Sequence, residues 1–185
     1  KDETAFDYVS ENSQLPRVLL IGDAQSIAYT TKVRKKLKGV ANVIRIPENA
    51  KNSTYAAERI NYWINTTTSN KKWDLIHFQI GSGDRETPLY NYAQNIRQIV
   101  RVLKRTQAKL VWSNLTPSKP RDLSIKLNEI SGRTMAAHKI TIVDLYNAEL
   151  PFINDDQKIG ENLNDDGLET VASQIAKVIK KELSK

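Results

Sequence analysis

The sequence predicts a three-layer α/β/α domain around a five-stranded parallel sheet in the flavodoxin-like order 2-1-3-4-5. Three observations carry this. The run Val18-Leu19-Leu20-Ile21-Gly22 is apolar without alternation, which suits a strand buried on both faces. Further strand-like runs alternate with stretches of helical period, the pattern of parallel strands joined by right-handed helical crossovers. Two glycine turns, Gly22-Asp23 and Gly81-Ser82-Gly83-Asp84, follow the first and third strands. In this strand order they meet where those strands diverge, at the carboxyl end of the sheet, where α/β proteins build their sites.

The elements follow in order. Residues 1–16 are polar and without period, and read as an N-terminal arm with Phe6, Tyr8 and Val9 docking on the body; residues 17–185 form the domain. The first strand is Arg17 to Gly22. A helix from Ser26 to Lys38 places Ile27, Val33 and Leu37 on one face and stops at Gly39. Asn42 to Ile46 is the second strand. Ser53 caps a helix carrying Tyr55, Ile60, Trp63 and Ile64 inward. Trp73 to Ile80 is the third strand. Pro88 opens a helix whose apolar positions Leu89, Tyr92, Ile96, Ile99, Val100 and Leu103 recur at helical spacing, with Arg97, Arg101, Lys104 and Arg105 as a basic stripe elsewhere. Lys109 to Ser113 is the fourth strand. A helix over 122–137, loosened near Gly132, leads to a fifth strand over 139–145 that is rich in β-branched residues. Residues 146–163 read as irregular. The last helix, Asp165 to Leu183, is acidic in its first turn and basic in its last, matching the helix dipole.

Composition bounds the function. The 185 residues suit one domain, and 39% hydrophobic residues can fill one core. No apolar run is long enough to span a membrane, and no leader peptide is expected within these residues. The absence of cysteine excludes disulfides, zinc–thiolate sites and thiol nucleophiles. A net charge of +7 favours anionic partners. No stacking-aromatic module accompanies the basic residues, so nucleic acid is disfavoured.

The stretch Val18-Leu19-Leu20-Ile21-Gly22-Asp23-Ala24-Gln25-Ser26-Ile27 resembles the opening block of the SGNH, or GDSL-type, esterases, which read Gly-Asp-Ser after the first strand. The resemblance continues through Tyr29-Thr30, through Trp73 to Phe78 with Gly81 and Asp84, through Ala108 to Trp112, and into the last helix at Gly167, Ala172 and Ile175. It spans nearly the whole chain from Arg17. It implies a fold used for hydrolysing esters, often acetyl groups on carbohydrates, and favours an extracytoplasmic location. In that family a serine attacks the carbonyl, a histidine takes its proton, and an aspartate just upstream orients the histidine. A glycine and an asparagine in two further loops help to hold the oxyanion. A hydroxyl needs such a base, and a developing oxyanion needs such donors.

This sequence departs at each of those places. The serine position is Ala24, the oxyanion glycine falls at about Lys51, the asparagine at Gly83, the histidine at Asn162 and the aspartate at about Gly160. The two histidines, His77 and His138, stand elsewhere. The reading is therefore a degenerate member without assigned catalytic residues, binding a carbohydrate or another anionic or polyhydroxyl ligand, or serving as a scaffold. The cleft candidates are Asp23, Ala24, Lys51, Asn52, Ser82, Gly83, Asp84 and Asn162. No metal or cofactor is expected, and no oligomeric state is assigned. The alternative is a carbohydrate ester hydrolase, with Ala24 an engineered serine replacement or with unconventional groups such as an Asp23–Asp84 pair or a displaced Ser26 nucleophile. Turn-tying roles for Asp23 and Asp84 stand beside that alternative.

Overall fold

The computed structural model describes residues 3–66, 72–117, 121–152 and 164–185. Strands β1 (Arg17–Gly22), β2 (Asn42–Arg45), β3 (Leu75–Gln79), β4 (Lys109–Ser113) and β5 (Thr141–Val143) form one sheet in the order β2-β1-β3-β4-β5. Every neighbouring pair is parallel, with Leu19 opposite both Ile44 and Ile76. The strand order is the one the sequence predicts. Helices α1 (Ala24–Lys36), α2 (Ser53–Thr66), α3 (Leu89–Lys104), α4 (Arg121–Ala137), α5 (Leu145–Glu149) and α6 (Asp165–Leu183) complete the layers.

Successive strand residues point to opposite faces, so β1 feeds two cores at once. Leu19 and Ile21 join Trp63, Phe78, Ile96 and Trp112 on the side of α2, α3 and α4. Val18 and Leu20 join Tyr29, Leu75, Val111 and Ile175 on the side of α1 and α6. All six β1 residues are buried, which explains the run without alternation. Each fully buried aliphatic side chain contributes about 1.5–3 kcal/mol. Trp63, Trp73 and Trp112 are all buried, so none offers a face to a sugar.

Local chemistry moves several boundaries. Helix α1 starts at Ala24 rather than Ser26, because Asp23 accepts from the Gln25 amide at 3.1 Å and caps it. Asn52, not Ser53, caps α2, its Oδ1 accepting from the Tyr55 amide at 2.9 Å. Helix α4 runs unbroken through Gly132, because burial of Leu127 and Met135 outweighs a glycine penalty of about 1 kcal/mol. Strand β5 is shorter than expected, and the region read as irregular after it begins with α5, capped by Asp144. Among the described residues of the arm, Ala5 is the buried one. Phe6 lies under the Arg45 guanidinium at 5.4 Å, whereas Tyr8 is 91% exposed and does not dock. The arm is tied down further on by Asn42, whose side chain bonds Asn12 and Leu15, and by a Glu11–Arg17 ion pair of 2.5 Å. Among the described residues no helix is long and apolar enough to cross a membrane.

His77 sits inside β3, fully buried, with Nε2 against the Ser113 hydroxyl at 2.7 Å and the Tyr29 ring edge-on at 6.2 Å. Burial pushes its pKa down to about 3. The native state therefore holds it neutral, while the unfolded chain protonates it near its usual value of 6.5. Its contribution to stability is intact above about pH 6.5 and declines as pH falls towards 3, by at most about 1.4 kcal/mol per pH unit. Urea midpoints measured across that window are expected to fall more steeply for the native protein than for His77→Gln. Parallel curves would contradict this.

Candidate functional site

The turn after β1 is built on buried polar groups. Asp23 is 1% exposed. One of its oxygens caps α1, and the other accepts from the Ser82 amide at 3.2 Å and the Ser82 hydroxyl at 2.6 Å. This carboxylate thus joins the two glycine turns. Burial raises its pKa above the ordinary carboxylate value, opposed by the Ser82 and Gln25 hydrogen bonds and by Arg45. Arg45 donates to the Gly22 carbonyl at 2.9 Å and to the Ser26 hydroxyl at 2.5 Å. Gly22 makes this possible: a Cβ there would lie 2.6 Å from Ser26 Oγ. Ser26 itself is fully buried and donates to the Asp23 carbonyl, which leaves it unavailable as a displaced nucleophile. Ala24 is exposed on the first turn of α1, where the resemblance places a serine, and presents only a methyl group.

The second turn is tied by another carboxylate. Asp84 is fully buried and accepts from the Ser53 amide at 2.8 Å and the Ser53 hydroxyl at 2.6 Å. Asn95 of α3 donates to the same hydroxyl at 3.1 Å. Burial raises the Asp84 pKa, and the Ser53 hydrogen bonds oppose that rise. Asp23 and Asp84 therefore each serve a different clamp. They do not stand as an open carboxylate pair.

Lys51 adopts a left-handed φ of 56°, a conformation that favours glycine, at the place where the resemblance puts one. Its amide is turned to Asn49 Oδ1 at 2.8 Å, and its ammonium lies over the Tyr55 ring at 4.2 Å. The Lys51 carbonyl points at Gly83. A Cβ on Gly83 would fall inside van der Waals contact with that oxygen and 3.1 Å from the carbonyl carbon. The space beside Gly83, where the resemblance puts an asparagine, is thus filled by backbone, and the Lys51 amide is already engaged. Asn52 is held as the α2 cap.

Beneath Ala24 lies a polar network that the sequence reading missed. Gln25 donates to the Thr116 hydroxyl, and its carbonyl accepts from Gln79 at 3.2 Å. Gln79 also donates to the Asn114 carbonyl at 3.1 Å and accepts from Tyr29 at 3.1 Å. Glu149, 2% exposed at the end of α5, is hydrogen-bonded by Thr116, while its Oε1 has no hydrogen-bond partner. Burial pushes its pKa up to about 8, so the carboxyl is protonated at neutral pH. Alternating burial of glutamines and a lone glutamate carries no distinctive spacing, so nothing in the sequence marked these residues.

The remaining candidates are less informative. Gly160 and Asn162 lie outside the described residues. His77 is buried mid-strand, and His138 is exposed in the turn before β5, at the amino end of the sheet. Neither approaches the turns around Ala24. Among the described residues no group of His, Cys, Asp or Glu is arranged to hold a metal ion.

Solved structures resemble this chain closely in architecture. A lipase/acylhydrolase from Enterococcus faecalis superposes with a TM-score of 0.74 at 16% identity, covering 90% of this chain and 96% of that one. A GDSL-like lipase from Bacteroides thetaiotaomicron gives 0.72 at 16% identity, covering 94% and 92%. A carbohydrate esterase family 3 protein from Talaromyces cellulolyticus gives 0.71 at 15% identity, covering 91% and 98%. No protein-family model matches the sequence, and no curated protein matches it. The chain has the fold of the SGNH-type hydrolases.

Two outcomes test the site geometry. Gly83→Asn is expected to destabilise the protein by about 1–3 kcal/mol, because the new side chain must displace the Lys51 peptide. A thermal midpoint equal to the native one would show that the loop yields freely. Glu149 has a folded pKa above its unfolded one, so its contribution is intact below about pH 4.5 and is lost as pH rises through about 8. Denaturation curves for Glu149→Gln are expected to lose less stability than the native protein between those limits. The same loss in both would place the titration elsewhere.

Proposed function

We propose that this chain is a catalytically inactive protein of SGNH-hydrolase fold that binds a carbohydrate, or another polyhydroxyl or anionic ligand, in the cleft beside Ala24. The observation that carries this reading is the Lys51–Gly83 contact. A backbone carbonyl stands where an oxyanion donor would project, and the Lys51 amide bonds Asn49 instead. A methyl group at position 24 adds no nucleophile. The exposed Lys51 offers a cation, and the Asn49 NH2 group and the Ser82 oxygen keep hydrogen-bonding capacity for hydroxyls beyond their bonds to Lys51 and Asp23. Likeness to a carbohydrate esterase supports a sugar over other hydroxylated ligands.

The test compares the native chain with Ala24→Ser on p-nitrophenyl acetate and acetylated sugars. Both are expected to stay at background. Losing a member of the serine–histidine couple costs on the order of 10⁶ in rate, and one missing oxyanion donor about a further 10²–10³. Turnover by Ala24→Ser would reveal a working base and reduce the lesion to Ala24 alone. Turnover by the native chain would favour the esterase reading, with Asp23 and Asp84 the first residues to replace. Calorimetry with acidic and neutral oligosaccharides at two salt concentrations reads the binding half of the proposal. Lys51→Ala is expected to weaken acidic ligands severalfold, and an unchanged affinity would remove Lys51 from the site.

A further inference from the structure

The α3 helix carries a feature that the cleft does not use. Between Thr87 and Arg121 the chain holds no acidic residue, yet it contains Arg97, Arg101, Lys104, Arg105, Lys109, Lys119 and Arg121. These seven positive charges equal the net charge of the whole protein, +7. The charge is therefore segregated into one segment.

Within α3 the segregation is also directional. Tyr92, Ile96, Ile99, Val100 and Leu103 are buried against the core. Tyr90, Gln94, Arg97, Arg101, Lys104 and Arg105 follow one another at helical spacing on the opposite side, and all are exposed. With a rise of about 1.5 Å per residue, the line is about 22 Å long. Among the described residues none of these four cations has an ion pair or hydrogen bond through its side chain. Tyr90 is 72% exposed, and its hydroxyl accepts from Gln94 at 2.9 Å, so the ring is held on this face. At the far end, Lys104 shares a depression of about 280 Å³ with His138 and Lys139. The helix dipole accounts for cations in the last turn. It accounts for neither Arg97 nor a nearly bare tyrosine at the first turn.

We propose that this face of α3 binds an acidic polysaccharide, a sulfated or carboxylated glycan whose charges pair with Arg97, Arg101, Lys104 and Arg105 while Tyr90 stacks on a sugar ring. An aromatic face beside hydroxyl-holding and cationic groups suits a charged sugar. Single-stranded nucleic acid is less suited, because its sites stack successive bases on several aromatics, and here no aromatic stands among the cations. The line starts close to the second glycine turn, since Thr87 donates to the Asp84 carbonyl just before α3. A glycan lying along it would lead away from the cleft towards the amino end of the sheet.

Fluorescence anisotropy with labelled heparin, polygalacturonate and oligothymidylate tests it. The native protein is expected to bind heparin or polygalacturonate and to release it as salt is raised. Replacing Arg97, Arg101, Lys104 and Arg105 by alanine is expected to weaken binding at least tenfold and to lower the slope of log affinity against log salt by about three, following the counterion-release behaviour of polyanions. A control with Lys38, Lys177, Lys180 and Lys181 replaced by alanine removes the same charge and is expected to change affinity less than about twofold by the same reasoning. Tyr90→Ala is expected to weaken binding severalfold at an unchanged salt slope. Arg97→Ala and Arg101→Ala singly give the same reading should the fourfold variant fail to fold. No binding to either glycan, equal losses in both fourfold variants, or tighter binding of oligothymidylate would each overturn the proposal. Loss in Lys51→Ala without loss in the α3 variants would locate binding in the cleft instead.

Discussion

The arrangement at the carboxyl end of the sheet depends on the buried Asp23 carboxylate. It caps α1, and it holds Ser82 by both amide and hydroxyl. Two turns far apart in sequence are thereby fixed to one another at the point where β1 and β3 diverge. Hydrogen bonds to a charged acceptor contribute about 1.5–3 kcal/mol each, and removing the acceptor would leave buried donors unsatisfied. Arg45 reinforces the same turn from β2 by holding Gly22 and Ser26, and its own guanidinium pKa is lowered to about 10 by burial. Asp84 repeats the device one loop further on, clamping the start of α2 through Ser53. The two turns beside Ala24 are therefore cross-linked by hydrogen bonds to buried charged side chains.

Cross-linking of this kind is separable from reactivity. A hydrolytic site needs donors and lone pairs that are pre-placed yet unengaged, so that they can meet charge as it develops. Among the described residues, several groups of the loops beside Ala24 are already engaged with one another. The Lys51 amide serves Asn49, the Asn52 carbonyl oxygen serves α2, and the Lys51 carbonyl closes on Gly83. The left-handed φ at Lys51 is a backbone path that favours glycine, and the Lys51 carbonyl closes the space beside Gly83.

Much of the fold could be read from the sequence because it follows from patterning. An apolar run without alternation implied a central parallel strand, and the flavodoxin-like order, in which the two glycine turns meet, is the one found. Boundaries were harder, since they turn on single hydrogen bonds: Asp23 rather than Ser26 decides where α1 begins, and Asn52 rather than Ser53 caps α2. Gly132 misled because local propensity is overridden by burial of Leu127 and Met135. At the site, the substituted positions Ala24, Lys51 and Gly83 were legible as residue types. Their mutual contact was not, because steric closure between loops leaves no trace in spacing. The Gln25–Thr116–Glu149 chain was hidden for the same reason: its members come from α1, the loop after β4 and α5.

Four ionisable side chains of the interior bear on reactivity: Asp23, Asp84, Glu149 and His77. General-base chemistry requires a group whose pKa lies near the working pH and whose lone pair faces the reacting proton. Asp23 and Asp84 each use their oxygens on internal donors, so protonating either would loosen a clamp. Glu149 has a pKa of about 8 and is a neutral acid at pH 7, hydrogen-bonded by Thr116 within the protein interior. His77 keeps its imidazole neutral, but deep in β3 against Ser113, where its pKa of about 3 reflects complete removal from water. Each shift has burial as its largest cause. Burial is what a structural polar group needs, provided its partners are in place. A catalytic group must also be reachable, and these four side chains are all buried.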